Sequence, residues 1–150
     1  EYGLQLAAVQ TSAGKGQDAL QTVDSLRRLP APVRDDPRVD GAEATAAGSL
    51  SDYKRQQAAA ARAVAKGRQQ GARLLVARAL LTEANAWQEL GDTRKSIAAA
   101  EEAKQIYASA GDRGGESRAL RVAGIALRSQ GDLTRAQIRA LRQLVEEEFK

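Results

Sequence analysis

Hydrophobic and polar positions in this chain do not alternate over any stretch of strand length, and runs of β-branched residues are few. Both observations argue against a sheet. Glycine, proline and capping residues instead divide the chain into segments that are each long enough for one helix. The predicted helices cover about 2–13, 17–29, 37–48, 52–69, 72–90, 93–110, 114–130 and 133–149. The pattern therefore predicts an all-α fold of eight helices in four antiparallel pairs.

A Gly-Asp pair marks the predicted turns in the second half of the chain. It occurs at Gly91-Asp92, Gly111-Asp112 and Gly131-Asp132, a step of twenty residues each time, so that two helices form a unit of forty residues. A single helical hairpin cannot bury its apolar face alone, whereas stacked copies can. The repeat therefore predicts a solenoid, a kind of fold that usually holds another molecule.

Two further helix starts are predicted in the first half of the chain. Asp36 precedes Pro37, which combines an N-cap carboxylate with a first helical residue that has no amide donor to leave unsatisfied. Ser51-Asp52 is expected to cap the helix that follows it. The proline-rich stretch 30–36 is predicted to be the loop between the first two pairs.

Composition narrows the classes of function. Alanine and leucine dominate the 43% hydrophobic fraction, and small side chains let helices approach closely. Cysteine and histidine are absent, which excludes disulfides, thiolate zinc sites and catalysis by thiol or imidazole.

No apolar stretch approaches the roughly 20 residues that span a bilayer, and no signal peptide is recognised. We expect a cytoplasmic protein with no enzymatic activity, metal or cofactor. Because methionine is absent and the chain begins at Glu1, we expect a piece of a longer protein.

Small residues recur beside the turns in all four units. They stand at Ala7 and Ala19 around the turn at Gly14 in the first unit, at Ala44, Ala60 and Ala63 in the second, at Ala84, Ser96 and Ala103 in the third, and at Gly124 and Ala136 in the fourth. With these marks the chain resembles the tetratricopeptide repeat, in its variety with long units of about forty residues. The resemblance implies a right-handed superhelix of about four hairpins, covering about 1–30, 37–70, 72–110 and 114–149. It departs from the family at Glu83, where leucine is usual, and at Gln56, where a small residue is usual.

The segment 29–37 is similar to repeat regions attached to bacterial winged-helix transcription regulators and protein kinases. The resemblance implies a non-enzymatic interaction module within a larger bacterial regulatory or signalling protein. In such a superhelix the first helix of each hairpin lines the concave face. Arg38, Arg78 and Arg118 recur there at a step of forty residues. Guanidinium groups bind carboxylates and phosphates bidentately, and an amide such as that of Asn85 can pair with a peptide backbone.

The expected partner is therefore a protein or an acidic peptide. The predicted peptide-binding residues are Arg78, Thr82, Asn85, Arg118, Arg121, Val122, Ile125 and Arg128. The alternative is that these arginines are solvated surface with no ligand.

Two other surfaces have alternative interpretations. Arg55, Arg62 and Lys66 recur on one face of the fourth helix, which would suit nucleic acid phosphates, although a solvated convex face is the favoured interpretation. The net charge of +4 adds little to the case for nucleic acid. The last predicted helix has an apolar stripe that either packs within the domain or forms a homodimer. The residues offered for that oligomer contact are Leu141, Leu144, Val145 and Phe149. A structural or oligomerisation module and a nucleic-acid-binding accessory thus remain the alternatives to a peptide-binding module.

Overall fold

The fold is seen in a computed structural model, which describes the backbone of residues 1–148 and the side chains of 1–131, 134, 135 and 139. Over that range it is all-α. The helices are α1 (Tyr2–Ser12), α2 (Gly16–Arg27), α3 (Pro37–Ser49), α4 (Tyr53–Gln69), α5 (Arg73–Glu89), α6 (Thr93–Ser109) and α7 (Arg113–Glu148), with a 3₁₀ turn at Val33–Asp35. The predicted all-α class is confirmed, and the first six predicted helices match α1 to α6 within two residues at each end.

The turns repeat one backbone geometry at a step of twenty residues. Ser51, Gly71, Gly91 and Gly111 each have a positive φ, between 59° and 82°. The amide that follows each of them bonds back over five residues, as from Asp92 N to Trp87 O at 2.9 Å. This is the hydrogen bond of a Schellman ending, which a residue in the left-handed region allows.

The aspartates after these turns begin the next helices. Side-chain oxygens of Asp52, Asp92 and Asp112 accept hydrogen bonds from amides three residues further on. Asp36 caps α3 by accepting from the amide of Arg38, two residues further on, with Pro37 as the first residue of the helix. The predicted turns at 91 and 111 and the helix starts at 36 and 52 are therefore confirmed.

The predicted turn at Gly131-Asp132 is wrong. The two helices expected over 114–130 and 133–149 are a single helix of 36 residues as far as Glu148, and Gly131 keeps a helical backbone. A Gly-Asp pair permits a turn without enforcing one, because a glycine inside a helix costs only about 1 kcal/mol. The turns at 91 and 111 close because each returning helix packs between two neighbours. The fourth unit is therefore not a hairpin, and the described chain has seven α-helices rather than eight.

The helices form two layers. Each helix packs on the next one along the chain, and α1 also contacts α3, α3 contacts α5, and α5 contacts α7. The largest apolar cluster lies between α4, α5, α6 and α7 and consists mainly of alanine with Val76, Leu80, Leu81 and Tyr107. No helix in the described part of the chain is long and apolar enough to cross a membrane.

The small residues predicted for close packing fall into two groups. Those of the first three units are buried, including Ala44, Ala84 and Ser96, whereas Gly14 at the first turn is exposed. Gly124 is exposed instead, and a Cβ added to it would meet nothing within 4 Å. The packing role predicted for Gly124 is therefore wrong within this chain, because no returning helix approaches it. Ala136 lies outside the residues whose side chains are described.

One departure from the small-residue pattern has a local explanation. Gln56 is buried at the start of α4, and its amide lies over Gly48 of α3, where an added Cβ would come within 2.7 Å of it. The glycine makes the room that the larger glutamine occupies. At this crossing α4 carries the large residue and α3 carries the small one.

Candidate functional site

An open groove runs between α1, α3 and α5, the three odd-numbered helices of the first three units. Its first recess encloses about 200 Å³. The floor is made of small residues, of which Ala7, Ala44, Ala60 and Ala63 are buried. The rim carries Thr11, Arg38, Thr45, Arg78 and Thr82. Small floor residues leave space in which a second backbone can approach these helices closely.

A second recess of about 290 Å³ continues the groove along α3 and α5. It shares Thr45 and Thr82 with the first recess and adds Asn85 and Glu89 from α5, together with residues at the junction of α3 and α4. Three of the predicted binding residues, Arg78, Thr82 and Asn85, therefore lie along one continuous groove. The groove has a basic first recess and an acidic side chain in its second.

Arg78 is the cation of this groove that is free to meet a ligand. It is exposed, and its guanidinium forms no hydrogen bond or ion pair with any described residue. It is the sixth residue of α5, which begins at Arg73. The nearby hydroxyl of Thr82 donates to the carbonyl of Arg78 at 3.2 Å and accordingly still has an oxygen that can accept.

Arg38 and Arg118, the other two arginines at the step of forty residues, each contact another side chain of the chain. Arg38 donates to both carboxylate oxygens of Asp36 and, through Nη1, to Glu1 at 3.0 Å. Hydrogen bonds to Asp36 and then to Glu1 raise the pKa of Arg38, and those from Arg38 lower the pKa of Asp36. The guanidinium carbon of Arg118 lies 5.9 Å from the ring centre of Tyr107, within reach of a cation–π contact. The three equivalent arginines therefore have three different surroundings.

The remaining predicted site residues all lie on α7, and none of them lines either recess. By the step of forty residues, Val122 and Ile125 correspond to Thr82 and Asn85 of the groove. Arg121 corresponds to the buried Leu81, and Arg128 corresponds to Gln88, whose amide donates to Ser129 of α7 at 2.9 Å. The structure thus separates Arg121 and Arg128 from the row formed by Arg78, Thr82 and Asn85.

A buried ionic cluster joins α2, α3 and α4, and the sequence analysis did not predict it. Asp40 and Glu43 of α3 are buried, and Asp40 is fully so. Arg27 Nη2 and Arg62 Nε donate to Asp40 Oδ1 at 2.8 and 3.0 Å, and Lys66 Nζ lies 2.7 Å from Oδ2.

Glu43 completes the ionic cluster. Arg55 and Arg62 donate to it at 2.8 Å each, and Arg27 also bonds to it. Four cations therefore face two carboxylates, and the cluster keeps a surplus of positive charge. The signal in the sequence was the pair of carboxylates three residues apart on α3, together with three cations at helical spacing on α4, the other helix of the same pair.

The carboxylates of this cluster stay ionised despite their burial. Burial by itself raises the pKa of Asp40, but hydrogen bonds from Lys66, Arg27 and Arg62 outweigh it and hold the pKa below the ordinary value. Burial likewise raises the pKa of Glu43, and Arg55 and Arg27 lower it by more. The cluster is therefore a set of charge-assisted bonds at neutral pH.

The ionic cluster changes the interpretation of the basic stripe on α4. Arg55, Arg62 and Lys66 are partly exposed, but each of them is bound to a buried carboxylate of α3. They hold α4 on α3 and are neither a free phosphate-binding row nor a merely solvated face.

A further open recess lies outside the groove, on the side of α4 and α6, and Trp87 lines it. Lys95 Nζ lies 4.3 Å from the centre of the indole ring, and Glu83 accepts from Gln57 Nε2 at 2.9 Å. An ion pair between Arg68 and Glu102 lies at its edge. The carboxylate of Glu83 is thus bound to Gln57 of α4, the helix that precedes α5.

The predicted oligomer contact of the last helix lies outside the described side chains. Leu141, Leu144 and Val145 belong to α7 by their backbone alone, and Phe149 lies beyond the described residues. Nearer its start, α7 exposes large apolar side chains, with Leu120 at 51% and Leu127 at 52% of their surface.

Comparison of the chain with models of known protein families finds no match. Comparison with curated proteins finds none either. Among the described residues, no group of three or more acidic side chains is placed to hold a metal ion.

Proposed function

We propose that this chain is a protein-interaction module that binds an extended acidic peptide, or an extended segment of a protein, in the groove between α1, α3 and α5. The observation that carries the proposal is the row of Arg78, Thr82 and Asn85 above a floor of alanines. An exposed guanidinium without a protein partner suits a carboxylate or phosphate, because such charge-assisted hydrogen bonds are about twice as strong as neutral ones. Asn85 supplies both a donor and an acceptor for a peptide backbone.

The proposal includes the architecture. We propose that the two layers form a right-handed superhelix of the tetratricopeptide kind, with the odd-numbered helices on the inner face. The contacts from α1 to α3, α3 to α5 and α5 to α7 support it, since inner helices of a curved stack lie closest together. In this view the chain is the cytoplasmic ligand-binding part of a larger bacterial regulatory or signalling protein, and it is not an enzyme.

The test uses a library of random ten-residue peptides displayed on phage, selected on the immobilised chain. We expect enriched peptides to carry Asp or Glu at one fixed position. Their affinity, measured by fluorescence anisotropy, should fall at least about tenfold on Arg78→Glu, corresponding to about 1.4 kcal/mol. Arg94→Glu is the matched control, because it makes the same charge change at an exposed residue of α6 outside the groove.

Adding Arg118→Glu and Arg121→Glu to Arg78→Glu asks whether α7 extends the site. A further loss of affinity would place the ligand across α5 and α7. Failure to enrich any peptide, or equal binding by the native chain and Arg78→Glu, would refute the groove as the binding site.

A further inference from the structure

A glycine of α3 leaves a place in the groove without a side chain. Gly41 lines the first recess, and a Cβ added to it would meet nothing within 4 Å. At a step of forty residues it corresponds to Leu81 of α5, whose side chain is buried in the largest apolar cluster. The second unit therefore has a gap where the third unit has the side chain of a leucine.

No described neighbour requires a glycine at this position. Four other glycines lie in helices α1 to α6, and a Cβ added to any of them would come within 2.6 to 2.8 Å of a neighbouring side chain. These four are Gly3, Gly16, Gly48 and Gly67. Gly41 has no such neighbour, and its φ is not positive. Because glycine is a poor helix former, Gly41 lowers the stability of α3 without bringing any helix closer.

The recess beside Gly41 has the size and the lining of a pocket for one large apolar side chain. It encloses about 200 Å³, whereas an apolar cavity of about 150 Å³ is already large enough to hold benzene. Its walls are mainly apolar, with buried alanines from α1, α3, α4 and α5 and the partly buried Leu75. An apolar group that leaves water for such a recess gains free energy.

The same recess has one unpaired charge at its rim, the guanidinium of Arg78. A ligand that fills the space beside Gly41 and also binds Arg78 therefore carries its apolar and acidic groups close together. An extended peptide rises about 3.3 Å per residue, and its side chains two positions apart point to the same side. The two groups consequently belong to residues no more than two positions apart in the peptide.

We infer that Gly41 determines the specificity of the groove, which selects peptides with a large apolar residue within two positions of an acidic one. The apolar side chain, from Leu, Ile, Met or Phe, occupies the space beside Gly41 that corresponds to the side chain of Leu81 in the next unit. The carboxylate binds Arg78. This inference rests on the proposed function and adds to it the apolar residue that accompanies the acidic one.

Substitution of Gly41 tests the inference, because a side chain at this position fills the recess from within the chain. Peptides selected on the native chain should share an apolar residue near the acidic one. Gly41→Leu should weaken their binding at least about tenfold in fluorescence anisotropy, and Gly41→Ala should weaken it less. Gly124→Leu is the matched control, since it makes the same change at an exposed helical glycine outside both recesses.

Thermal denaturation shows whether the Gly41→Leu variant is folded. Its unfolding midpoint should be no lower than that of the native chain, because leucine is a better helix former than glycine and its Cβ enters open space. A loss of binding by this variant then reports the filled recess rather than a damaged fold.

A double-mutant cycle separates direct contact from an indirect effect. Replacing the apolar residue of a selected peptide by alanine should lower its affinity about tenfold on the native chain and less than about twofold on Gly41→Leu, where the recess is already filled. Equal losses on the two proteins would overturn the inference. Peptides that lose affinity on Arg78→Glu but bind equally to the native chain and Gly41→Leu would overturn it while leaving the proposed function intact. Failure to enrich any peptide would overturn both.

Discussion

One position in three successive units has three different environments. Asp40 of α3, Leu80 of α5 and Leu120 of α7 are separated by steps of forty residues and face the place of the returning helix. Asp40 is fully buried against cations of α2 and α4, Leu80 is buried under α6, and Leu120 is half exposed. The repeat therefore keeps the geometry of a contact but not its chemistry. Whether the position is buried depends on whether the next helix packs over it.

Among these three positions, a substitution at Asp40 should cause the largest loss of stability. Asp40→Asn removes the charge that holds Arg27, Arg62 and Lys66, and breaking a buried pair in this way costs several kcal/mol. Because these cations are partly exposed and can be rehydrated, we expect a loss of about 3 kcal/mol in the free energy of unfolding, measured by urea denaturation. Asp24→Asn, at an exposed residue of α2, should change it by less than about 0.5 kcal/mol.

The same cluster gives the stability a defined dependence on pH. The pKa values of Asp40 and Glu43 are lower in the folded chain than their ordinary values of 3.8 and 4.5. Their contribution is therefore complete above those values and is lost as the pH falls below them toward the folded-state pKa values. We expect the native chain to lose more stability than Asp40→Asn between pH 6 and about pH 3. Equal acid sensitivity of the two proteins would show that the cluster does not set it.

Replacing Leu80 and replacing Leu120 should lower the free energy of unfolding by amounts that differ several-fold. Leu80→Ala leaves a cavity between α5 and α6 and should destabilise the chain by about 2–4 kcal/mol. Leu120→Ala should cost less than about 1 kcal/mol in urea denaturation at concentrations where the chain is monomeric, because half of its side chain is already in water. A cost at Leu120 as large as that at Leu80 in the monomer would mean that 133–148 covers α7 within one chain.

The smallest effect has the most informative sign. Gly91 has a φ of +82°, so Gly91→Ala should destabilise the chain by about 1–2 kcal/mol. Gly131 is helical with open space around its Cα, so Gly131→Ala should stabilise it by about 0.5–1 kcal/mol. Thermal denaturation of both variants measures the two signs. If Gly131→Ala instead destabilises the chain, Gly131 has a positive φ and the turn that the sequence predicted is present.

Helix boundaries in this chain follow from local chemistry, and the sequence therefore predicted most of them. The Gly-Asp pairs at 91 and 111, and Asp36 before Pro37, act within a few residues through φ, capping bonds and a missing amide. The sequence also predicted a turn and cap at Ser51-Asp52, and the structure adds that Ser51 itself has a positive φ of 59°, which serine rarely adopts. These features favour a turn locally, but they do not enforce one, because the Gly-Asp pair at 131 continues a helix.

The candidate site was only partly predictable. Helical spacing predicted that Arg78, Thr82 and Asn85 share one side of α5, and all three line the groove. It could not predict that Arg38 is bound to Asp36 and Glu1 or that Arg118 lies against Tyr107. Which arginine stays free depends on side chains from other elements, and periodicity contains no information about them.

The sequence by itself determined the all-α class, the approximate ends of the six helices α1 to α6 and the spacing of the turns as far as Gly111, because capping and backbone preference are short-range. Only the tertiary structure decided that Asp40 and Glu43 are buried with four cations, that Gly131 continues a helix, and that Leu120 is left open. Each of these outcomes depends on whether a distant helix arrives to exclude water. The same local sequence is compatible with either result.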